Sequence, residues 1–248
     1  MGNKMTNLIT LLCLLVASGF VHAAPSSNVA WTVETKRLVD AGDAGHGKKI
    51  ETIETDKSYA CTDCHGVAGA EPDRDKYPML AGQVAAYTYK QLKDYQDGSR
   101  ENRKMMKAVE DLSDADLAAL SAWYAEQPFP EPEIDPDVEV TKETVELVFR
   151  GDKKRLIQPC ASCHGERGEG GDIDVPALAG QNARYFIDTM KAYKRGKRKN
   201  DIYSRMRIIA LSLTDDEIEQ LAEYYVRIGR EQQKRSLVDE WLAKLWGT

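Results

Sequence analysis

Two copies of one six-residue frame, Cys61-Thr-Asp-Cys64-His65-Gly66 and Cys160-Ala-Ser-Cys163-His164-Gly165, lie 99 positions apart in a chain of 248 residues. The likeness spreads well beyond them. Pro78-Met-Leu80-Ala81-Gly82-Gln83 recurs as Pro176-Ala-Leu178-Ala179-Gly180-Gln181 at an offset of 98, as do Tyr87, Tyr95, Gly98 and Arg100 in Tyr185, Tyr193, Gly196 and Arg198. Met105, Leu112, Asp114 and Tyr124 return as Met206, Leu213, Asp215 and Tyr225 at an offset of 101. The offset changes only between blocks, where loops absorb insertions, so the chain is a duplicated unit. Between the copies, residues 127–137 hold four prolines and alternating acids. Proline fixes φ and removes donors, so this reads as an extended linker.

At the start, Lys4 precedes an apolar run from Leu8 to Phe20 that ends in Val21-His22-Ala23. The run is short for a membrane span, and the small residue suits a signal peptidase, so residues 1–23 read as a cleaved export signal carrying Cys13 with it. No other stretch approaches transmembrane length. The mature chain keeps four cysteines and three histidines at net charge −7, a balance that speaks against a general nucleic-acid binder. The boundaries follow: 24–129 for the first domain, 130–142 for the acidic linker, 143–228 for the second domain and 229–248 for a C-terminal extension.

Helical periodicity runs through each copy. Tyr87, Gln91 and Tyr95, and likewise Tyr185, Thr189 and Tyr193, recur at i, i+4, i+8 on one helical face. Ser113 and Thr214 are N-caps; Asp116 and Glu217 follow near the positive end of the dipole, and Glu217 completes a capping box. No alternating β-branched run suggests a sheet. The expected fold is all-α.

A Cys-x-x-Cys-His frame places two thiols on one helical turn, where they can add to the two vinyl groups of a porphyrin, with the imidazole aimed at the iron; this spacing reads as c-type haem attachment. A redox dithiol, a zinc site and structural disulfides compete, and one frame alone would leave them open. Two frames in register behind an export signal favour two covalently attached haems, on Cys61, Cys64 and His65 and on Cys160, Cys163 and His164. The register-matched sulfurs downstream, Met105 and Met206, are the candidates for the opposite axial position. Met106 is the rival in the first copy but aligns with Arg207, while Met79 and Met190 read as core filler. A thioether is a soft ligand favouring ferrous iron, so His/Met ligation raises the potential.

On these frames, both Leu-Ala-Gly-Gln segments and Phe149-Arg150-Gly151, the chain resembles the dihaem cytochromes c of the cytochrome c4 family, two class I cytochrome c domains in tandem. The resemblance implies attachment at the four frame cysteines and proximal ligation by His65 and His164. It places Met105 and Met206 on the distal positions and implies that the carbonyls of Pro78 and Pro176 accept the other ring N–H of each histidine. It also implies a pseudo-twofold between the domains and service as a periplasmic carrier to terminal oxidases, with a membrane quinol-oxidising complex as the other kind of partner.

The surface offers two further features. Net charge runs −5 over 24–129, −4 over 130–142 and +2 over 143–248, with Lys191, Lys194, Arg195, Lys197, Arg198, Lys199, Arg205 and Arg207 crowded around Met206. A solvated face is the plain reading; docking of an acidic redox partner is the functional one. Beyond Tyr225, Leu237, Val238, Trp241, Leu242 and Leu245 follow helical spacing beside Trp246, an amphipathic helix expected to pack on its own domain or else to anchor a partner. His46, without a counterpart, is expected to be exposed and to ligate nothing. Iron closed on both faces leaves electron transfer rather than catalysis as the expected function. The alternative is the electron-accepting cytochrome subunit of a sulfide or thiosulfate dehydrogenase complex; a dihaem peroxidase is disfavoured by methionine at both matching positions.

Overall fold

The computed structural model describes residues 29, 31–54, 59–129 and 139–228. The export signal, linker residues 130–138 and the C-terminal extension lie outside the described residues. Helices α2 (Ala44–Ile50), α3 (Thr62–His65), α4 (Ala85–Gln96), α5 (Arg103–Val109) and α6 (Asp114–Ala125) form the first unit, preceded by α1 (Val33–Asp40). The second repeats them as α7 (Lys142–Arg150), α8 (Ala161–His164), α9 (Ala183–Lys194), α10 (Arg205–Ser212) and α11 (residues 215–228). Among the described residues there are no strands, only an isolated bridge between Asp152 and Ile157. The linker's end is already helical territory: Thr141 Oγ1 accepts Thr144 N–H, capping α7 at Lys142.

Caps set the helix starts as the residue pattern requires. Thr214 and Glu217 exchange side-chain and backbone bonds at 3.1 and 2.8 Å. Asp116 also closes a capping box with Ser113, its shorter carboxylate accepting Ser113 N–H at 2.9 Å. The same carboxylate accepts a hydrogen bond from His46 Nε2 at 2.8 Å, so this half-exposed imidazole ties α2 to α6. The segment before α2, unread in the sequence, forms α1: Thr32 caps it, Val39 enters the core, and Trp31 meets Tyr89 edge-on.

Each unit has its own core, Leu117, Leu120, Val109 and Tyr124 in the first, Ile218, Leu221, Val148 and Tyr225 in the second. In the first, α2 crosses α6 backbone to backbone: a Cβ on Gly47 would run into the Ala119 carbonyl. Gly47→Ala is therefore expected to destabilise the first unit by about 2 kcal/mol, an overpacking cost that outweighs the roughly 1 kcal/mol of helix propensity gained. Gly45→Ala, whose Cβ meets only Asp43 Oδ1 at 3.2 Å, should not. Thermal unfolding of the two variants checks the contrast, and equal melting temperatures would refute it.

Candidate functional site: two cytochrome c haem pockets

Each frame is a single α-turn. Cys61 and Cys160 adopt φ/ψ of −60/−38° and −59/−38°, and the histidine N–H returns to the first cysteine's carbonyl at 3.0 and 2.9 Å. The turn stops at once because Gly66 (φ +73°) and Gly165 (φ +83°) enter a region that other residues rarely adopt. This brings both sulfurs and the imidazole to one wall. His65 and His164 are 6 % and 7 % exposed, and their Nδ1–H groups donate to Pro78 O at 3.0 Å and Pro176 O at 2.9 Å. That bond fixes the tautomer, leaving Nε2 unprotonated and free to ligate. Burial pushes both imidazoles down in pKa, which keeps them neutral, the ligating form.

The walls of the two units enclose one continuous cavity of about 760 Å³, lined by all four frame cysteines, both histidines, Met105 and Met206. Met105 is set at the start of α5 by Asn102, whose Oδ1 accepts its N–H at 3.2 Å; Met206 lies at the start of α10, where Asp201 Oδ2 accepts the Arg207 N–H at 3.0 Å. Met106 is not on the cavity wall and is 36 % exposed, so it is no rival to Met105. Met190 is core, as the sequence suggests, but it also lines the cavity, as does the half-buried Met79, which joins no core cluster; neither is matched by a methionine in the other copy, where Leu92 and Ala177 stand. The four thiols form no disulfide. Burial pushes Cys61 up in pKa and Cys160 to about 11, the reverse of the activated thiolates of a redox pair. No group of three or more metal-ligating side chains converges among the described residues, which leaves the zinc reading without a ligand set.

Where the units meet, the cavity wall is polar and nearly symmetric. Arg100 Nη2 donates to Tyr185 OH at 3.0 Å and Arg198 Nη2 to Tyr87 OH at 2.9 Å. Each guanidinium also lies over its own unit's tyrosine, Arg100 4.6 Å from the Tyr95 centroid and Arg198 4.7 Å from that of Tyr193. Burial pushes the Tyr185 phenol up, but Arg100 and Arg198 more than offset it and bring it down to about 7. Neither guanidinium pairs with a carboxylate among the described residues. Two such cations on a cavity wall call for anions, and two haems, each carrying propionates, supply them. Sulfurs, neutral imidazoles, an apolar wall and unpaired guanidiniums together fit two c-type haems. The register of Tyr87, Tyr185, Arg100 and Arg198 was visible in the repeat; their meeting across the two units was not.

The arrangement defines a c-type cytochrome built twice. The Cytochrome c family profile matches residues 54–126 and 153–227. Cytochrome c4 of Pseudomonas aeruginosa is 32 % identical over 225 residues, covering 90 % of this chain and 97 % of that protein. A protein of Stutzerimonas stutzeri named thiosulfate dehydrogenase electron acceptor is 34 % identical over 192 residues, covering 76 % of this chain and 89 % of its own. The crystal structure of reduced recombinant cytochrome c4 from Pseudomonas stutzeri superposes with a TM-score of 0.66 at 30 % identity, covering 75 % of this chain and 98 % of that one. The chain belongs to the dihaem cytochrome c4 family. It carries two c-type haems, at Cys61, Cys64 and His65 and at Cys160, Cys163 and His164, and is an electron carrier rather than a catalyst.

Proposed function

We propose that the chain works in the periplasm, after cleavage near Ala23, and relays single electrons by outer-sphere transfer between respiratory-chain partners, a membrane quinol-oxidising complex and a terminal oxidase among them. His65 with Met105 and His164 with Met206 would hold the irons. The observation that carries this reading is that the register-matched methionines line the same cavity as the two histidines. When bound, the haems supply reversible one-electron chemistry. The chain supplies the rest: Pro78 and Pro176 orient the imidazoles, Met105 and Met206 would close the open faces, and Arg100, Arg198, Tyr87 and Tyr185, which bond to one another across the contact between units, would hold the propionates. With both faces closed, no position is left for a substrate.

A second reading specifies the donor. Two relatives, from Stutzerimonas stutzeri and Thiomonas intermedia, are named thiosulfate dehydrogenase electron acceptors, which favours a dehydrogenase of that kind as electron source. The basic cluster near Met206 is a docking candidate in reduced form. Lys191 pairs with Glu219, Lys194 with Asp215, Arg205 with Asp174 and Arg207 with Asp201, and Arg198 is buried between the units. Arg195, Lys197 and Lys199 remain exposed. Mixing the oxidised protein with a thiosulfate dehydrogenase and thiosulfate in a stopped-flow spectrometer tests both points. Rapid reduction that slows with salt, with the slope flattened by Lys197→Glu/Lys199→Glu, is the expected result. Reduction no faster than by thiosulfate alone would remove this donor and leave the carrier reading in place.

A further inference from the structure

Gln83 and Gln181, 7 % and 8 % exposed, reach across the contact between the two units in a reciprocal pattern. Gln181 Oε1 accepts Met79 N–H and its Nε2 donates to Met79 O, both at 3.0 Å. Gln83 Oε1 accepts Ala177 N–H at 2.8 Å and its Nε2 donates to Ala177 O at 3.1 Å. Met79 and Ala177 are the residues after Pro78 and Pro176. The Met79 N–H therefore belongs to the same peptide group as the Pro78 carbonyl, which accepts the His65 ring proton; Ala177, Pro176 and His164 repeat the relation.

A peptide group transmits polarisation. Drawing on its N–H enriches the carbonyl oxygen, and hydrogen bonds in such a chain strengthen one another, by about 10–30 % per bond in condensed-phase estimates. A stronger carbonyl acceptor makes the imidazole a more basic iron ligand, and a more basic ligand favours ferric iron. Each glutamine also accepts the N–H of the residue that opens its own long helix, Val84 for α4 and Asn182 for α9, at 2.9 Å. These bonds hold the carboxamides in place.

We propose that Gln83 and Gln181 are crossed positioning residues: each unit's glutamine tunes the haem of the other unit through the peptide that holds that unit's axial histidine. Gln181 acts on the His65 haem and Gln83 on the His164 haem. The two sites thereby set each other's potential only while the units are docked.

The test is a spectroelectrochemical titration of the haem-loaded protein, with the first unit's wave identified as the one that Met105→His displaces. Gln181→Leu removes the acceptor, so the first unit's wave should rise and the second's stay in place; Gln83→Leu should do the converse. Gln181→Met, close to glutamine in length and without a strong acceptor for Met79 N–H, should raise the first wave likewise. It also carries the test should the leucine variant not fold. In the reduced, diamagnetic protein, the Nδ1–H proton of His65 should move upfield in Gln181→Leu and that of His164 should not. A shift confined to the variant's own unit, an equal shift of both waves, or an unmoved His65 proton would overturn the proposal. Failure of Met105→His to move either wave would count against the axial assignment alone, since the proton resonances report on the clasp without it.

Discussion

Asp94→Ala is expected to cost about 3–5 kcal/mol, a penalty of the size that follows when one partner of a buried pair is removed. Lys90 and Asp94 on α4 form an ion pair at 2.6 Å with side chains 2 % and 0 % exposed. The pair is not self-contained. Asp94 Oδ2 accepts Asn200 Nδ2–H at 2.6 Å, and Lys90 Nζ donates to Asn200 O at 2.6 Å, so the second unit's chain is bolted to the first by side chain and main chain together. Asn200 in turn accepts from Arg198 Nε at 2.9 Å. Burial pushes the Lys90 ammonium down in pKa and Asp94 holds it up. Without the carboxylate, the desolvated cation keeps the Asn200 carbonyl as a hydrogen-bond acceptor but loses its contact partner of opposite charge. The double variant Lys90→Met/Asp94→Leu should recover much of the loss, because neither charge of the pair is then left buried without its partner. Chemical denaturation of the three proteins checks this; a single variant as stable as the parent would show that water reaches the site.

Met105→His and Met206→His should each lower one of the two midpoint potentials by on the order of 0.1 V or more, within the span of about 0.8 V that axial ligands command. A thioether favours ferrous iron, whereas a second imidazole favours ferric. Each substitution should move a single wave, since each methionine stands in its own unit. Met106→His should move neither, because that side chain turns away from the cavity. A titration in which Met106→His displaces a wave, or Met105→His does not, would transfer the axial role.

The repeat made most of this molecule legible in the sequence. Helix starts at Ser113 and Thr214, the two Cys-x-x-Cys-His turns and the pairing of Met105 with Met206 depend on neighbours within a turn or on matching register. Both can be read along the chain. Asp116 completing a capping box was the small surprise, a matter of one methylene of reach. The basic cluster around Met206 was misleading as a single surface: a run of like charges says nothing about which carboxylates fold back onto it, and Arg198 leaves the surface altogether.

The sequence by itself determined that a unit is duplicated, that each copy is helical, and that each presents two thiols and an imidazole to one porphyrin. These are consequences of local geometry, repeated. Only the tertiary structure decided how the copies hold each other. Lys90 and Asp94 have no like-charged mates in the second copy, where Asp188 and Ala192 stand, yet they fasten Asn200 from the other half. Gln83 and Gln181 do repeat, but their partners lie 94 and 102 positions away. A hydrogen bond between units depends on how two folded surfaces meet, and spacing within either one does not encode that.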